Sequence, residues 1–316
     1  MINISRRVDL KKGVFLSLFL SACSYSQTLY VTHSSNLYQV DRQSGALSLK
    51  ASDIQSGFHG STSLFYEQNN AYIAGTRQSP WDENLTISSL RTISLTNGLF
   101  SDLNIDRLVS GLIKNGNSWY GFRAGDMVSI NPISGQTQII ATVNQGIHGW
   151  GGPIAYDQEH AYLLAGKNDP VSKIIRKISF ASGDINDLDI NNSSINYFGI
   201  INQNFYGIGA GKVFTISQLD GSAQEIYSGL FDGFDGVGNV QFDDANDKIF
   251  FTGIAINSDS TIVDKISEIN VVSGEKNTTT LQGRASFLLL PIPEPSAVSL
   301  LAIGLGALAM MRRRRS

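Results

Sequence analysis

The sequence predicts an all-β fold, and the prediction rests on a repeated strand-and-turn pattern, its period and the spacing of its glycines. Each copy is a short alternating strand that ends in a polar residue and enters a turn built on glycine. Period-two alternation before such a turn indicates a β-hairpin, because glycine supplies the positive φ that the turn needs. The turn glycines of the copies are Gly45, Gly98, Gly135, Gly183, Gly221 and Gly274.

A second, aromatic-rich strand precedes each hairpin. Examples are the segments 71–75, 161–164 and 249–252, which contain Tyr72, Tyr162 and Phe250. In some copies a further apolar stretch comes before it. The unit then has four strands in about 40–50 residues, the period of a propeller blade. Six copies predict a six-bladed β-propeller of four-stranded antiparallel blades over residues 27–291. In outline the pattern resembles the six-bladed propellers with tyrosine-rich repeats.

The intervals between successive turn glycines alternate between long and short. The long intervals end at Gly98, Gly183 and Gly274, which are the turns of blades 2, 4 and 6. This alternation predicts three copies of a two-blade unit. We expect the extra length of the even-numbered blades between their second and third strands, at 76–88, 167–173 and 254–263.

The first copy lacks an innermost strand, because the second-strand pattern already begins at residue 29. The apolar segment 285–290 follows the last copy and has no partner of its own. We expect it to supply the missing strand and to close the ring between the two ends of the chain. Closure removes the unpaired strand edges that otherwise promote aggregation.

The composition fits a folded body without a nucleic-acid partner. Hydrophobic residues make up 42% of the 316 residues, which is enough for a core. The net charge of −3 gives no bulk attraction to nucleic acid. Cys23 is the only cysteine, so the body has neither a disulfide nor a cysteine-based metal site.

Residues 1–26 have the order of a signal peptide, in which a basic segment precedes a short apolar one. Two cleavage positions fit this segment. Residues 20–23 resemble a lipobox, and cleavage there would leave Cys23 lipidated at the new N-terminus. The small residues Ala22 and Ser26 also fit ordinary cleavage near Ser26.

The end of the chain has three parts in a fixed order. Pro293, Glu294 and Pro295 come first, an apolar run over 297–311 follows, and Arg312, Arg313, Arg314 and Arg315 close the sequence. The run predicts a hydrophobic helix shorter than the about 20 residues that usually span a bilayer, so we expect a transient anchor. Arginines stay on the cytoplasmic side of a membrane, and this places the body outside the inner membrane.

The order of motif, transmembrane helix and arginine cluster over residues 292–316 resembles the PEP-CTERM sorting signal. The resemblance implies that an exosortase, a membrane-embedded cysteine protease, recognises Pro293, Glu294 and Pro295 and removes the tail. Carriers of this signal are typically Gram-negative bacteria that make extracellular polysaccharide. The resemblance therefore implies an exported protein that is held transiently in the inner membrane and then reaches the cell surface or the extracellular space.

Three matching segments come just before the predicted innermost strands of blades 2, 4 and 6. They are 57–60, 146–149 and 233–236, and each has the pattern Gly-x-x-Gly. Loops at this position surround one mouth of a propeller's central channel. His59, His148 and Asp235 are therefore a candidate channel-mouth site for a metal ion or an anion. The alternative is that the repeated pattern is turn geometry, in which case no cofactor is expected.

Three hypotheses of function fit these observations, and one of them, a lipoprotein scaffold in an envelope complex, depends on lipidation of Cys23. The sequence contains no nucleophile elbow, phosphate loop or His-Glu-x-x-His motif, so no catalytic residue is predicted. The first hypothesis is a non-catalytic propeller that binds a surface protein or an extracellular polysaccharide through one face. The alternative is a secreted propeller enzyme, a metal-dependent lactonase or a glycan-active hydrolase or lyase, that uses the central channel. Propellers host both binding and catalysis, so the fold alone does not choose between them.

Overall fold

Six antiparallel sheets, arranged as the blades of a propeller, make up the part of the chain that the structure describes. The structure is a computed structural model, and it describes residues 28–67, 69–78, 86–106, 109, 111–123, 125–150, 154–167 and 172–289. The predicted signal peptide with Cys23 and the predicted sorting signal over 292–316 lie outside these residues. Within them, no helix is long and apolar enough to cross a membrane.

The strands follow one another blade by blade along the chain. Blade 1 begins with β1 (Leu29–His33), β2 (Asn36–Val40) and β3 (Leu47–Ala51). Blade 2 contains β4 (Phe58–Glu67), β5 (Asn70–Gln78), β6 (Thr86–Ser94) and β7 (Phe100–Ile105). Blade 3 contains β8 (Gly111–Asn115), β9 (Ser118–Arg123), β10 (Asp126–Ile130) and β11 (Thr137–Thr142).

The second half of the ring repeats this order. Blade 4 contains β12 (Ile147–Trp150), β13 (Ala155–Tyr156), β14 (His160–Lys167), β15 (Lys173–Ser179) and β16 (Ile185–Ile190). Blade 5 contains β17 (Tyr197–Ile201), β18 (Asn204–Gly209), β19 (Lys212–Ile216) and β20 (Ala223–Tyr227). Blade 6 contains β21 (Gly236–Asp243), a short 3₁₀ turn at Asp244–Asn246, β22 (Lys248–Ile256), β23 (Ile262–Asn270) and β24 (Lys276–Thr280). The last strand is β25 (Phe287–Leu289).

Sequential strands are neighbours within each blade, and every pairing is antiparallel. In blade 4 the innermost place is shared, because β12 and β13 both pair with β14. Elsewhere the blades follow the simple four-stranded order, from the channel outward. The prediction of a six-bladed propeller with four-stranded antiparallel blades is confirmed.

The ring closes where the sequence predicted. β25 pairs with β1 and takes the innermost place in blade 1, with Leu289 opposite Tyr30 and Phe287 opposite Thr32. Leu288 and Leu289 are fully buried there. One blade is therefore built from both ends of the body, and the inner edge of β1 is paired.

The hydrophobic core lies between blades, because each sheet is covered on both faces. In β22, Phe250 packs with residues of blade 1, whereas the next residue, Phe251, packs with residues of blade 5. Tyr72 and Ile73 of β5 divide in the same way between blades 3 and 1. Successive side chains of a strand point to opposite faces, so a strand with two buried faces needs consecutive apolar residues. This explains the aromatic-rich second strands.

Five of the six turn glycines fit their blade closely against the preceding blade; Gly274 of blade 6 has open space beside it. All six have φ between 70° and 75°, the left-handed conformation that glycine adopts without strain. At Gly135 a Cβ atom would lie 1.8 Å from the carbonyl oxygen of Asn104, in the outer strand of blade 2. Glycine is required there both by the backbone conformation and by the close approach of the neighbouring blade.

Candidate functional site on the face of the long hairpins

Blades 2, 4 and 6 carry longer hairpins than the other three blades. Their second and third strands are nine and nine, eight and seven, and nine and nine residues long. The corresponding strands of blades 1, 3 and 5 have five or six residues. The additional length therefore lies where we predicted it, at the connection between the second and third strands, and much of it forms strand rather than loop.

The long hairpins and the three Gly-x-x-Gly segments lie at the same end of the blades. At this end the start of each innermost strand pairs with the end of the second strand. The pairs are Phe58 with Arg77, Ile147 with Lys167, and Gly236 with Ile254. We call this end of the propeller the hairpin face. In blades 1, 3 and 5 it carries only tight turns, around Ser35, Gly125 and Gly211.

Each Gly-x-x-Gly segment begins as a tight turn. Gly57, Gly146 and Gly233 have φ values of 77°, 73° and 82°. In blades 2 and 6 the amide of the residue after this glycine donates a hydrogen bond to a carbonyl three residues earlier. The bonds run from Phe58 to Gln55 at 2.9 Å and from Phe234 to Phe231 at 3.1 Å. The glycines thus turn the chain from the outer strand of one blade into the innermost strand of the next.

The three predicted ligands occupy related positions in the chain. His59 and His148 are each the second residue of an innermost strand, in β4 and β12, rather than in the loops before them. Their side chains lie outside the described part of the structure. Asp235 immediately precedes β21 and is exposed, and its carboxylate accepts a hydrogen bond from the amide of Ile256 at 2.6 Å. Asp235 therefore ties the entry of blade 6 to the far end of the second strand of its hairpin.

No metal site is visible among the described side chains, where no group of three or more His, Cys, Asp or Glu residues could hold an ion. The described side chains do not include those of His59 and His148. The hypothesis of a metal or anion site at the channel mouth therefore stays a prediction.

Two buried arginines secure the turns of the hairpin face, and sequence analysis missed them. Arg91 in β6 is 3% exposed, and its guanidinium forms two hydrogen bonds with Asp102, at 2.6 and 2.7 Å. The same guanidinium donates to the carbonyls of Ile54 and Ser56, at 3.0 and 2.9 Å. Those carbonyls belong to the loop that enters blade 2. Arg91 also lies over the rings of Phe58 and Phe100.

Blade 4 repeats this arrangement. Arg176 in β15 is 5% exposed and pairs with Asp187 through two hydrogen bonds of 2.7 Å. It also donates to the carbonyls of Val143 and Gln145 in the loop that enters blade 4. Arginine presents a planar fork that matches a carboxylate and still has donors for backbone carbonyls. One side chain therefore ties the loop from the preceding blade to its own blade.

Blade 6 holds its loop by other means. Ser267 and Thr278 occupy the positions that correspond to the arginine and the aspartate, and their hydroxyls share a hydrogen bond of 2.8 Å. Lys276 donates to the carbonyls of Gly229 and Asp232, and Lys265 to that of Gly233. Burial lowers the pKa of Lys276. A signal for the arginines was present in the sequence, because each lies seven residues before its turn glycine and eleven before its aspartate.

The blade 6 hairpin exposes apolar side chains near its tip. Ile256 at the end of β22 is 53% exposed, and Ile262 at the start of β23, directly opposite, is 46% exposed. Ile254 on the same strand is also exposed. A cross-strand pair of isoleucines facing solvent gives the hairpin face an apolar contact point.

A cleft of about 440 Å³ lies between blades 1 and 6, away from the innermost strands. Its lining includes Arg42, which forms an ion pair with Glu268. Lys248 lies 2.8 Å from the same carboxylate. Burial lowers the pKa of Arg42 and of Lys248. The charged groups of the cleft are therefore engaged with one another.

Residues 291–315 match the family model described as the PEP-CTERM protein-sorting motif. The chain carries a PEP-CTERM sorting motif. This motif is a recognition signal for exosortase processing, so the chain is a sorted, exported protein that passes the membrane to the cell surface or the extracellular space. The match covers Pro293, Glu294, Pro295 and the arginines 312–315, and it confirms the resemblance seen in the sequence.

The body of the chain aligns with several solved structures at low sequence identity. A member of the DUF4221 family from Bacteroides vulgatus aligns with a TM-score of 0.50 at 9% identity, over 81% of this chain and 88% of that one. An oligogalacturonate lyase from Vibrio parahaemolyticus gives a TM-score of 0.49 at 10% identity, over 74% and 76% of the two chains. Regucalcin, a calcium-binding protein from Agrobacterium tumefaciens, gives 0.49 at 10% identity, over 77% and 81%.

No curated protein matches the chain in a sequence comparison. The alignment at a TM-score of 0.50 and 9% identity shows shared fold alone, and none of the three carries an activity or a ligand to this chain.

Proposed function

We propose that this chain is an exosortase-processed protein of the cell surface or extracellular matrix whose propeller binds an extracellular polysaccharide or a surface protein without catalysing a reaction. The hairpin face is the binding face. The observation that carries this proposal is the set of three long hairpins, which extend from one end of the body at every second blade.

The construction of the hairpin face supports a role in recognition. Long hairpins cost chain entropy and create exposed strand surface, and they add nothing to ring closure. They are nevertheless braced, by Arg91 and Arg176 at the bases in blades 2 and 4 and by the bond from the Ile256 amide to Asp235 in blade 6. Rigid support below an exposed tip limits the ordering cost that binding must overcome.

The exposed isoleucines of blade 6 give the first test. Ile256→Ser combined with Ile262→Ser removes apolar contact area from the hairpin tip. As a matched control, Ile133→Ser combined with Leu219→Ser makes the same chemical change at turns near the opposite end of the third strands, where both side chains are exposed. The processed body and both variants are mixed with extracellular polysaccharide from the producing strain, and the bound fraction is measured after sedimentation.

We expect wild type and the control to sediment with the polysaccharide, and the Ile256/Ile262 variant to bind at least about tenfold more weakly. Protease treatment of the polysaccharide beforehand separates the two ligand classes, since only a protein partner is destroyed. Equal binding by all three proteins would remove the hairpin face from the proposal. Absence of binding to any fraction would contradict the binding function.

The alternative is a secreted lactonase, or a hydrolase or lyase acting on glycans, with its site in the central channel. The same sedimentation samples test it, because turnover would release lactone hydrolysis products, new reducing ends or unsaturated sugars. Product formation by wild type that is lost on replacing His59 and His148 would favour the enzyme.

A further inference from the structure

Both ends of the described body emerge from one face of the propeller. β1 begins at Leu29, and β25 ends at Leu289, and the register places Leu289 directly opposite Tyr30. β1 then runs toward the tight turn at Ser35, which belongs to the hairpin face. The first residue of β1 and the last residue of β25 are therefore at the opposite end of the blade. We call that end the terminal face.

The sorting motif follows the terminal face after a very short spacer. Only Leu290, Pro291 and Ile292 separate the buried Leu289 from Pro293. The apolar run that the membrane would hold begins at Ala297, and even a fully extended chain spans no more than about 29 Å from Leu289 to that residue. A folded domain of this length is about 45 Å across. The body cannot turn over while its tail is held in a membrane, because the spacer is shorter than the body is wide.

We infer that, before processing, the tail holds the propeller with its terminal face against the lipid surface and its hairpin face directed away from it. This inference rests on the proposed sorting and binding roles and adds the orientation of the body to them. The segment before β1 leads to the same place. A lipid on Cys23 would be attached only a few residues before Leu29 and would hold the same face against the membrane.

The charge of the terminal face indicates that the tether, and not attraction to lipid headgroups, keeps it at the membrane. The turns between first and second strands lie on this face, and those of blades 4 and 6 carry Asp157, Glu159, Asp244 and Asp247. Carboxylates are repelled by the anionic lipids of a bacterial membrane. These carboxylates give the body no electrostatic attraction to that surface once the tail is removed, although Ile133 and Leu219 expose apolar side chains on the same face.

The orientation can be measured by fluorescence quenching from spin-labelled lipids. The exported, uncleaved chain is prepared from a strain that lacks exosortase, with Cys23→Ser, and reconstituted into vesicles of phosphatidylethanolamine and phosphatidylglycerol. Asn117→Cys places a fluorophore in the exposed blade 3 turn of the terminal face, and Ser258→Cys places one in the exposed turn of the blade 6 hairpin. Both chains are compared with versions that carry a 20-residue Gly-Ser insertion between Leu290 and Pro291.

We expect the label at 117 to lose fluorescence and the label at 258 to be unaffected. The insertion should abolish this difference, because a flexible spacer of that length has a mean span of about 25 Å and a much longer reach. The tail-free body should show no quenching at either position. Equal quenching at both positions of the short-spacer chain, or quenching of the tail-free body, would overturn the inference. The polysaccharide assay uses the tail-free body, so the two tests fail independently.

Discussion

Arg91 and Arg176 show at the scale of single residues how neighbouring blades are joined. Each is buried, pairs with an aspartate of its own blade and donates to carbonyls of the loop from the previous blade. A buried guanidinium that is bonded to a carboxylate and to two carbonyls resists the loss of these partners, because its charge would then be left without compensation. These two side chains therefore set the position of the turns at the hairpin face.

Replacement of Arg176 by serine copies the residue that blade 6 has at the same position. We expect Arg176→Ser to lower the free energy of unfolding by about 1–3 kcal/mol, because two loop carbonyls lose their donor while the exposed carboxylate of Asp187 becomes hydrated. Adding Asp187→Thr recreates the Ser267–Thr278 pair and should recover at least about 1 kcal/mol. Urea titration measures the free energy of unfolding of wild type, Arg176→Ser and the double variant.

The exposed pair Lys212–Glu225, at 2.7 Å, is the control for Arg176. Lys212→Ser should cost at most about 1 kcal/mol, since exposed ion pairs contribute little. A cost for Arg176→Ser no larger than that for Lys212→Ser would show that the buried pair does not secure the loop.

Asp157 makes stability depend on pH in the acid range. Burial of this carboxyl opposes ionisation, but hydrogen bonds from the Tyr162 hydroxyl and the amides of Glu159 and His160, at 2.6 to 2.8 Å, prevail and lower its pKa. A carboxyl with a lowered folded-state pKa stabilises the fold above its unfolded pKa of about 3.9, and this contribution is lost as the pH falls through the folded value.

The free energy of unfolding of wild type should therefore fall below about pH 4, and Asp157→Asn should fall less over the same range. Both proteins retain Asp41 and Asp220, whose pKa values are also lowered by hydrogen bonds within their turns, so the difference isolates Asp157. Parallel stability curves for the two proteins from pH 7 to acid would contradict this assignment.

His59 and His148 are the residues on which the metal hypothesis depends. With Asp235 already engaged by the Ile256 amide, we expect no stoichiometric metal in the purified body. His59→Ala combined with His148→Ala should then have the same metal content as wild type by inductively coupled plasma mass spectrometry. One equivalent of metal in wild type that disappears in the double variant would establish the channel-mouth site.

At the scale of elements, the three-residue strand β25 contributes more than its length suggests. It fills the innermost place of blade 1, and Leu289 is 0% exposed whereas Phe287 in the same strand is 46% exposed. Burial of leucine removes apolar surface from water, and truncation leaves a cavity in addition. Substitutions in β25 therefore test whether burial of its side chains holds the ring together.

Leu289→Ala should lower the free energy of unfolding of the tail-free body by about 2–5 kcal/mol. Phe287→Ala, at the exposed first position of the same strand, serves as the control and should cost clearly less. Calorimetry or urea titration of both variants decides. Similar costs would mean that pairing of the strand backbone, and not burial of its side chains, closes the ring.

At the scale of the whole molecule, the short spacer connects the propeller to its sorting motif. Exosortase processing predicts that the mature protein lacks its tail from near Pro293. Glu294→Ala combined with Pro295→Ala should leave the full tail in place and retain the chain in the membrane fraction. Intact-mass measurement of the C-terminus in cell and medium fractions provides the readout.

Wild type that keeps Arg312 to Arg315 in every fraction would mean that the tail is a lasting anchor. Partners would then be sought at the inner membrane. Loss of the tail in wild type alone would direct the search to the extracellular matrix, where the hairpin face is free to bind.

The repeating hairpins, the number of blades, the closing strand and the sorting motif could all be predicted from the sequence. Each depends on local order along the chain: alternation of period two, a glycine at each turn, or a motif of consecutive residues. Closure of the ring could also be predicted, because the first copy lacked an innermost strand and the apolar segment after the last copy had no partner. The buried arginine pairs were also regular in spacing, but the sequence does not show which carbonyls lie near a side chain.

Three-dimensional packing decided what the spacing could not. Only the twist and proximity of neighbouring blades bring Arg91 to the loop from blade 1, give Asp235 the amide of Ile256 as its partner, and open the cleft beside Arg42. These contacts join residues far apart in the chain, and their geometry depends on the angle between sheets. Tertiary structure also decided that the hairpin face lies opposite the two chain ends, because this placement follows from the order of strands around a closed ring.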